Sequence, residues 1–377
     1  MGSEFVPGLA GVVAAKSGIG LINGLTGVLR YRGIRIEHLA ENSTFEETSY
    51  LLLFGRLPTN SELASYTAEL AEYRALPRGI IQILSALPET THPMVALQVG
   101  TAALGGFFPQ MDVTDRAGNR KAALRLIAAF PTIVASFDRV RKGLDLVAPD
   151  ASMGHAENFL HMLTGTRPDE KVRRLIDVCL VLHAEHGFNA STFTGRVVGS
   201  TLANPYSAIA GAVGSLSGPL HGGANERVLH MLRKIQHVDA VPGYLEKMIA
   251  TKTKIMGLGH RVYKVKDPRA TVLQSMAADL FTSHGSTPLY DIAQRLEEEA
   301  TRRLGAKGIY PNVDFYSGLV YEKLGISVDQ FTPLFAISRV AGWTAHWLEQ
   351  LEDNRIFRPT QLYVGATDAP YVDNAQR

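Results

Sequence analysis

Three segments in the C-terminal half each set one proton-transfer residue inside a Gly- or Pro-rich turn. They are Gly218-Pro-Leu-His221-Gly-Gly-Ala-Asn225, Met256-Gly-Leu-Gly-His260-Arg261 and Tyr310-Pro-Asn-Val-Asp314-Phe-Tyr316. Histidine and aspartate side chains span the pKa range useful near neutrality. Two histidines and one aspartate are therefore what a protein would assemble to take a proton from a weakly acidic carbon while protonating two carbonyl oxygens.

Each residue also has a plain structural reading. Asp314 sits just ahead of a predicted helix and could serve as its N-cap. His221 precedes the helix opened by Gly222-Gly-Ala-Asn225, where the positive helix end would keep an imidazole neutral and able to donate; it could equally be a turn residue packed on the glycines. Most arginines in such a chain are solvated. Arg339 is different, because it interrupts the apolar run Leu334–Val340 and would be costly there without an anion. His183 and His186, three residues apart, would share a helix face and suggest a metal site, yet neither an HExxH motif nor a cysteine cluster accompanies them. Gly257-Leu-Gly259 is no dinucleotide fingerprint, since no strand precedes it, and the nearby Lys264 and Lys266 suit a surface loop as well as a phosphate.

Taken in order and spacing, the three segments resemble the active-site signature of the citrate synthase family, which condenses acetyl-CoA with oxaloacetate. The resemblance covers nearly the whole core and implies roles. Asp314 matches the base that takes the methyl proton beside the thioester, His221 the group polarising the thioester carbonyl, and His260 the acid at the oxaloacetate carbonyl. His186, Arg269, Arg339 and Arg358 match oxaloacetate-binding positions, Arg358 reaching the neighbouring subunit's site in a homodimer. Lys254, Met256, Gly257, Leu258, Gly259, Lys264 and Asn312 fall where CoA lies. The family needs no cofactor and no metal. Its 2-methylcitrate synthase members share these motifs and accept propionyl-CoA, one methylene larger, which pocket shape discriminates weakly. From another class, a non-catalytic helical interaction protein would explain the apolar faces but gives no reason for His221, His260 and Asp314 in glycine-rich turns.

The elements that must position these residues are helical. Val172, Leu175, Ile176, Cys179 and Leu182 line one face of a segment opening at Pro168-Asp169, and the same periodicity predicts helices at 44–54, 61–74, 205–216, 226–235, 245–252, 268–281, 289–304, 315–324 and 332–351. Period-two alternation is confined to the neighbourhood of Gly27–Arg32, a small hairpin, and no repeated βα unit appears. The expectation is an all-α fold with two domains, 6–222 with 329–377 and 223–328, hinged at the Gly-rich stretch 211–223 and around Gly325, with a closing cleft. The chain has 377 residues, and 38 Lys+Arg against 36 Asp+Glu leave a charge of +2, no field suited to nucleic acid. No apolar stretch approaches the roughly 20 residues that cross a bilayer. With a single cysteine, Cys179, in an apolar setting, the chain reads as soluble and cytoplasmic. Met1–Phe5 looks like a leftover of cloning, and the tail from about Ala366 is polar and patternless.

Overall fold

The computed structural model describes residues 5–109 and 112–377; Met1–Glu4, read above as part of a cloning leftover, lie outside them. Among the described residues are sixteen α-helices and one three-stranded sheet, so the fold is all-α as the periodicity requires. The helix Pro205–Leu216 matches its expected bounds, and Phe45–Phe54, Pro268–His284, Pro288–Leu304, Val313–Lys323 and Phe331–Glu352 match theirs within a few residues. Their starts follow side-chain caps: Thr44, Asp267 and Thr287 each accept a backbone N–H of the first turn.

Helices at Arg78–Ser85, Pro93–Phe107, Arg116–Arg141 and His155–Thr164 had no counterpart in the periodicity. Arg116–Arg141 explains why. It is buried almost all round from Ala122 to Asp138 and carries Pro131, so it shows neither a one-sided stripe nor an uninterrupted helical sequence.

The helix Phe331–Glu352 is the spine of the molecule. Every residue from Phe331 to Trp347 is buried, and it packs against Arg116–Arg141, Ala190–Ser200, Phe45–Phe54, Pro205–Leu216 and Glu170–His183. The helices Ala224–Ile235, Val241–Ala250, Pro268–His284, Pro288–Leu304 and Val313–Lys323 pack mainly on one another. Gly211 and Gly214, read from sequence as part of a hinge, lie inside the helix Pro205–Leu216. A Cβ on Gly211 would stand 3.3 Å from Val198, so this glycine serves close helix packing. The irregular turn is confined to 217–223. Gly325, at φ +73°, follows the helix end at Lys323 as the left-handed terminator expected of it.

The hairpin extends to a meander: β1 (Gly20–Asn23), β2 (Val28–Tyr31) and β3 (Ile34–Arg35), all antiparallel, with Gly20 opposite Tyr31 and Asn23 opposite Val28. Leu29 and Tyr31 point inward from alternate positions of β2. Asn23 Oδ1 accepts the N–H groups of Leu25 and Thr26 and forms the turn.

The spine's packing is tight enough to test. A Cβ on Gly199 would lie 2.8 Å from Cδ1 of the buried Trp347, whereas one on Gly106, also helical, meets nothing within 4 Å. Gly199→Ala should therefore lower stability by about 1–3 kcal/mol through overpacking, while Gly106→Ala should raise it by up to ~1 kcal/mol through helix propensity. Thermal unfolding of both checks this, and equal melting temperatures would contradict it.

Candidate active site

Asp314 and His260 are built into one platform. Gly259 N–H donates to Tyr310 O at 2.8 Å and Asn312 N–H to Gly257 O at 2.9 Å. Asn312 Nδ2 donates to Gly259 O at 2.9 Å, and its Oδ1 accepts the Asp314 N–H at 3.0 Å. Asn312 is thus the N-cap of the helix Val313–Lys323, and Asp314, read as a possible cap, stands in the first turn with its carboxylate released from that duty. Gly257 and Gly259 adopt φ of +75° and +81°, and a Cβ on Gly257 would stand 2.7 Å from Val228 and 2.9 Å from Phe315. Only glycine fits this approach.

Backbone N–H groups face one nitrogen of each histidine. The Ser191 N–H points at His221 Nε2 from 3.3 Å and the Ser191 hydroxyl lies 2.8 Å from the same nitrogen; with Nε2 as the acceptor of the amide, neutral His221 holds its proton on Nδ1. Ser191 is itself held by Asn189 Oδ1 at 2.8 Å and Trp343 Nε1 at 3.1 Å. His260 is the mirror case: its Nδ1 accepts from Val262 N at 2.9 Å and Tyr263 N at 3.3 Å, leaving the proton on Nε2. Burial lowers both pKa values to about 4, helped by Arg339 at His221 and by Arg269 at His260. Both rings are neutral at pH 7, and for His221 burial rather than the helix end is the first cause.

His186 lies beyond the end of the helix Glu170–His183, with its ring 5.2 Å from that of His260 and its Nε2 3.3 Å from the Tyr263 hydroxyl. Burial, then Arg269, holds its pKa well below the usual value. His183 does not share a face with it. As the last helical residue, His183 uses Nδ1 to donate to Cys179 O at 2.7 Å. Among the described residues no group of three or more His, Cys, Asp or Glu could hold a metal ion.

Arg339 and Arg269 are 1% and 2% exposed. Arg339 Nε donates to His183 O at 2.7 Å and its guanidinium lies 4.7 Å from the Phe335 ring centroid. Burial pulls its pKa down to about 10, against the opposing charge of Glu185. Arg269 makes a two-point pair with Asp267 at 3.1 and 2.7 Å, which outweighs its burial and raises its pKa. Asp314 is pushed up to about 6 by burial, with Arg269 and Arg339 pulling the other way. Its Oδ1 is buried without a hydrogen-bond partner among the described residues. The site thus joins two neutral proton donors, a carboxylate near the neutral range and two buried cations: a setting for carbon acid deprotonation beside an anionic ligand.

Not every expected residue joins this cluster. Arg358 is exposed, on the segment after the spine helix, where Phe357 N–H donates to Ser200 Oγ at 3.1 Å. Lys254 and Lys264 are exposed, while Met256 is half-buried and Leu258 buried. Lys266 turns inward to Glu297 at 2.5 Å. Sequence reasoning gave no role to Ser191, Trp343 or Tyr263, nor to the buried chain in which His346 Nε2 lies 3.1 Å from Glu185 Oε1 while Arg196 binds His346 Nδ1 at 3.1 Å and Glu349 at 2.8 Å. The signal for part of it was present: Arg339, His346 and Gln350 recur at helical spacing within an apolar run, with Trp343 between them.

The family description "Citrate synthase, C-terminal domain" matches residues 8–360. The chain is 52% identical over 373 residues to a citrate synthase of Synechocystis sp., covering 99% of this chain and 94% of that protein. A 2-methylcitrate synthase of Corynebacterium glutamicum is more distant, at 41% over 363 residues, covering 95% of this chain and 94% of that protein. The citrate synthase of the thermophilic archaeon Thermoplasma acidophilum, solved as a ternary complex with carboxymethyl coenzyme A and oxaloacetate, superposes with a TM-score of 0.93 at 33% identity, covering 99% of this chain and 100% of that one.

The Asp314 carboxyl carries a stability signature. Its folded pKa of about 6 exceeds an unfolded value of about 3.9, so its contribution is fully present below pH ~4 and is lost as pH rises through ~6. Asp314→Asn should then be more stable than the parent at pH 8, by on the order of 2–3 kcal/mol, and match it near pH 4. Denaturant unfolding at the two pH values measures this. A variant less stable at pH 8 would contradict the buried-carboxyl assignment.

Proposed function

Because the chain belongs to the citrate synthase family, we propose that Asp314, His221 and His260 carry that family's reaction here. The protein condenses acetyl-CoA with oxaloacetate and water to give citrate and CoA. In this reading Arg269, Arg339 and His186 bind the oxaloacetate carboxylates, for which a buried guanidinium offers paired donors. Asp314 takes a methyl proton of acetyl-CoA while His221 Nδ1–H donates to the thioester oxygen and stabilises the developing enol(ate). The new carbon–carbon bond forms at the oxaloacetate ketone, whose oxygen takes the proton from His260 Nε2. Water then hydrolyses the citryl thioester and releases the CoA thiol.

The observation that carries this reading is the opposite tautomers of His221 and His260 around the unpartnered Asp314 oxygen. Each ring offers one N–H because backbone amides occupy its other nitrogen. Of the other carboxylates nearby, Glu226 accepts from Thr332 at 2.5 Å, and Glu185 Oε1 is bound to Gly187 and His346. CoA lies along Lys254–Gly259 with Lys264 at its phosphates, and Asn312 acts chiefly by bracing that loop. Residues 223–328 form the smaller domain that closes on 6–222 and 329–377. The enzyme works in the cytoplasm as a homodimer, in which the exposed Arg358 enters the partner's site. No cofactor is invoked, because the chain's own residues supply each proton transfer.

The direct experiment follows CoA thiol release from acetyl-CoA with and without oxaloacetate, then from propionyl-CoA. Release that requires oxaloacetate and favours acetyl-CoA is expected; a preference for propionyl-CoA would give the 2-methylcitrate reading instead. Asp314→Asn should lower kcat by about 10²–10⁴-fold, the usual cost of losing a general base, with oxaloacetate affinity kept. Mixing Arg358→Ala with Asp314→Asn subunits should restore partial activity through heterodimers. Mixtures no more active than the separate variants would place Arg358 outside the partner's site.

A further inference from the structure

The β1–β2 hairpin touches both histidine segments. At its base the Tyr31 hydroxyl accepts the Glu185 N–H and donates to Leu182 O, each at 3.2 Å. A Cβ on Gly20 would stand 3.0 Å from Glu185 Oε1, and one on Gly187 would stand 3.1 Å from Ile22 Cδ1. This side of the hairpin therefore lies along 182–187, the residues that carry His186. At the tip, Gly24 O accepts the Lys264 N–H at 2.8 Å. A Cβ on Gly24 would fall 2.1 Å from Val262 O and 2.6 Å from Val262 C, and one on Gly27 would fall 2.9 Å from Val265 Cγ2. The tip is thus pressed, backbone to backbone, on the residues that follow His260. Those same residues, through the Val262 and Tyr263 N–H groups, hold His260 Nδ1.

We propose that the hairpin is a positioning element for the reaction, and that Gly24 is the residue that seats the Val262–Lys264 backbone so that His260 meets His186. The inference rests on the reading of His260 as the acid at oxaloacetate. The contact is made by main chain: Leu25 at the tip is 75% exposed, so the side chains there contribute little, whereas any Cβ at position 24 collides with a carbonyl group that has no rotamer to yield. The hairpin comes from the N-terminal part of the chain and the loop from within 223–328, so the contact clasps the two sides of the proposed cleft at the histidines. A hairpin this short has little stability of its own, and its form depends on the two segments it joins.

Relief of the clash moves the loop by on the order of 1 Å, and a catalytic group misplaced by that much costs about 10²-fold in rate. Gly24→Ala should therefore lower kcat/KM about 10²-fold, and shrink the rise in melting temperature produced by saturating oxaloacetate, by more than any fall in the unliganded melting temperature accounts for. Leu25→Ala should change neither. Asn23→Ala, which removes the acceptor of the Leu25 and Thr26 N–H groups without any clash, should give a smaller loss of the same kind, and it decides the matter if Gly24→Ala does not fold. Unchanged kcat/KM and oxaloacetate response in Gly24→Ala, or losses that only track the unfolded fraction, would overturn the proposal. The measurements are made where wild type shows oxaloacetate-dependent CoA release; if wild type shows none, it is the family reaction that fails, not the hairpin contact.

Discussion

Two buried guanidinium groups, each within electrostatic reach of the other, set the terms for the rest of the site. Arg269 and Arg339 are almost wholly removed from water, and an uncompensated charge in that position is expensive. The fold answers with carboxylates: Asp267 pairs with Arg269, and Glu185 opposes the loss of charge at Arg339. What remains is a positive field among buried side chains. It helps keep His186, His221 and His260 neutral, and it partly offsets the burial that raises Asp314. Neutral imidazoles and a carboxyl near the neutral range follow from burial first and from that placement of cations second.

The placement depends on the spine helix. Arg339, Trp343 and His346 follow one another at four- and three-residue steps, with Gly342 three residues from Arg339 and four from His346, so they share a face. Arg339 holds the end of the Glu170–His183 helix through His183 O, Trp343 holds Ser191 and through it His221, and His346 meets Glu185. Gly342 leaves the space that Glu185 occupies, since a Cβ there would stand 2.5 Å from Glu185 Oε2. One buried helix thereby sets the positions of groups from three separate segments, which is why it can carry polar residues along an apolar length.

The chemistry-bearing residues were legible because their turns are constrained. Gly257, Gly259 and the Pro311-Asn312 pair mark places where backbone passes close to backbone, and His260 and Asp314 stand at those places. Arg339 was legible by contrast with its apolar neighbours. The second layer was not. Ser191, Tyr263 and Arg196 look like ordinary residues of a loop or a helix, and their roles come from hydrogen bonds spanning 30 to 150 positions, which periodicity cannot register. The helix Arg116–Arg141 is hidden for a related reason: an element buried on nearly all sides loses the one-sided stripe. The hairpin was seen as an element and missed as a contact, because its tip acts through glycine backbone.

The chemistry proposed here needs both histidines neutral at working pH with opposite protons, His221 on Nδ1 and His260 on Nε2. Imidazole nitrogen NMR on the unliganded protein, with each histidine assigned by substitution, measures this directly. The expected result is a neutral ring at both positions from pH 8 down to about pH 5, with the bare nitrogen at Nε2 in His221 and at Nδ1 in His260. Titration of either ring near its unperturbed value of about 6.5, or the reverse tautomer at either position, would contradict it.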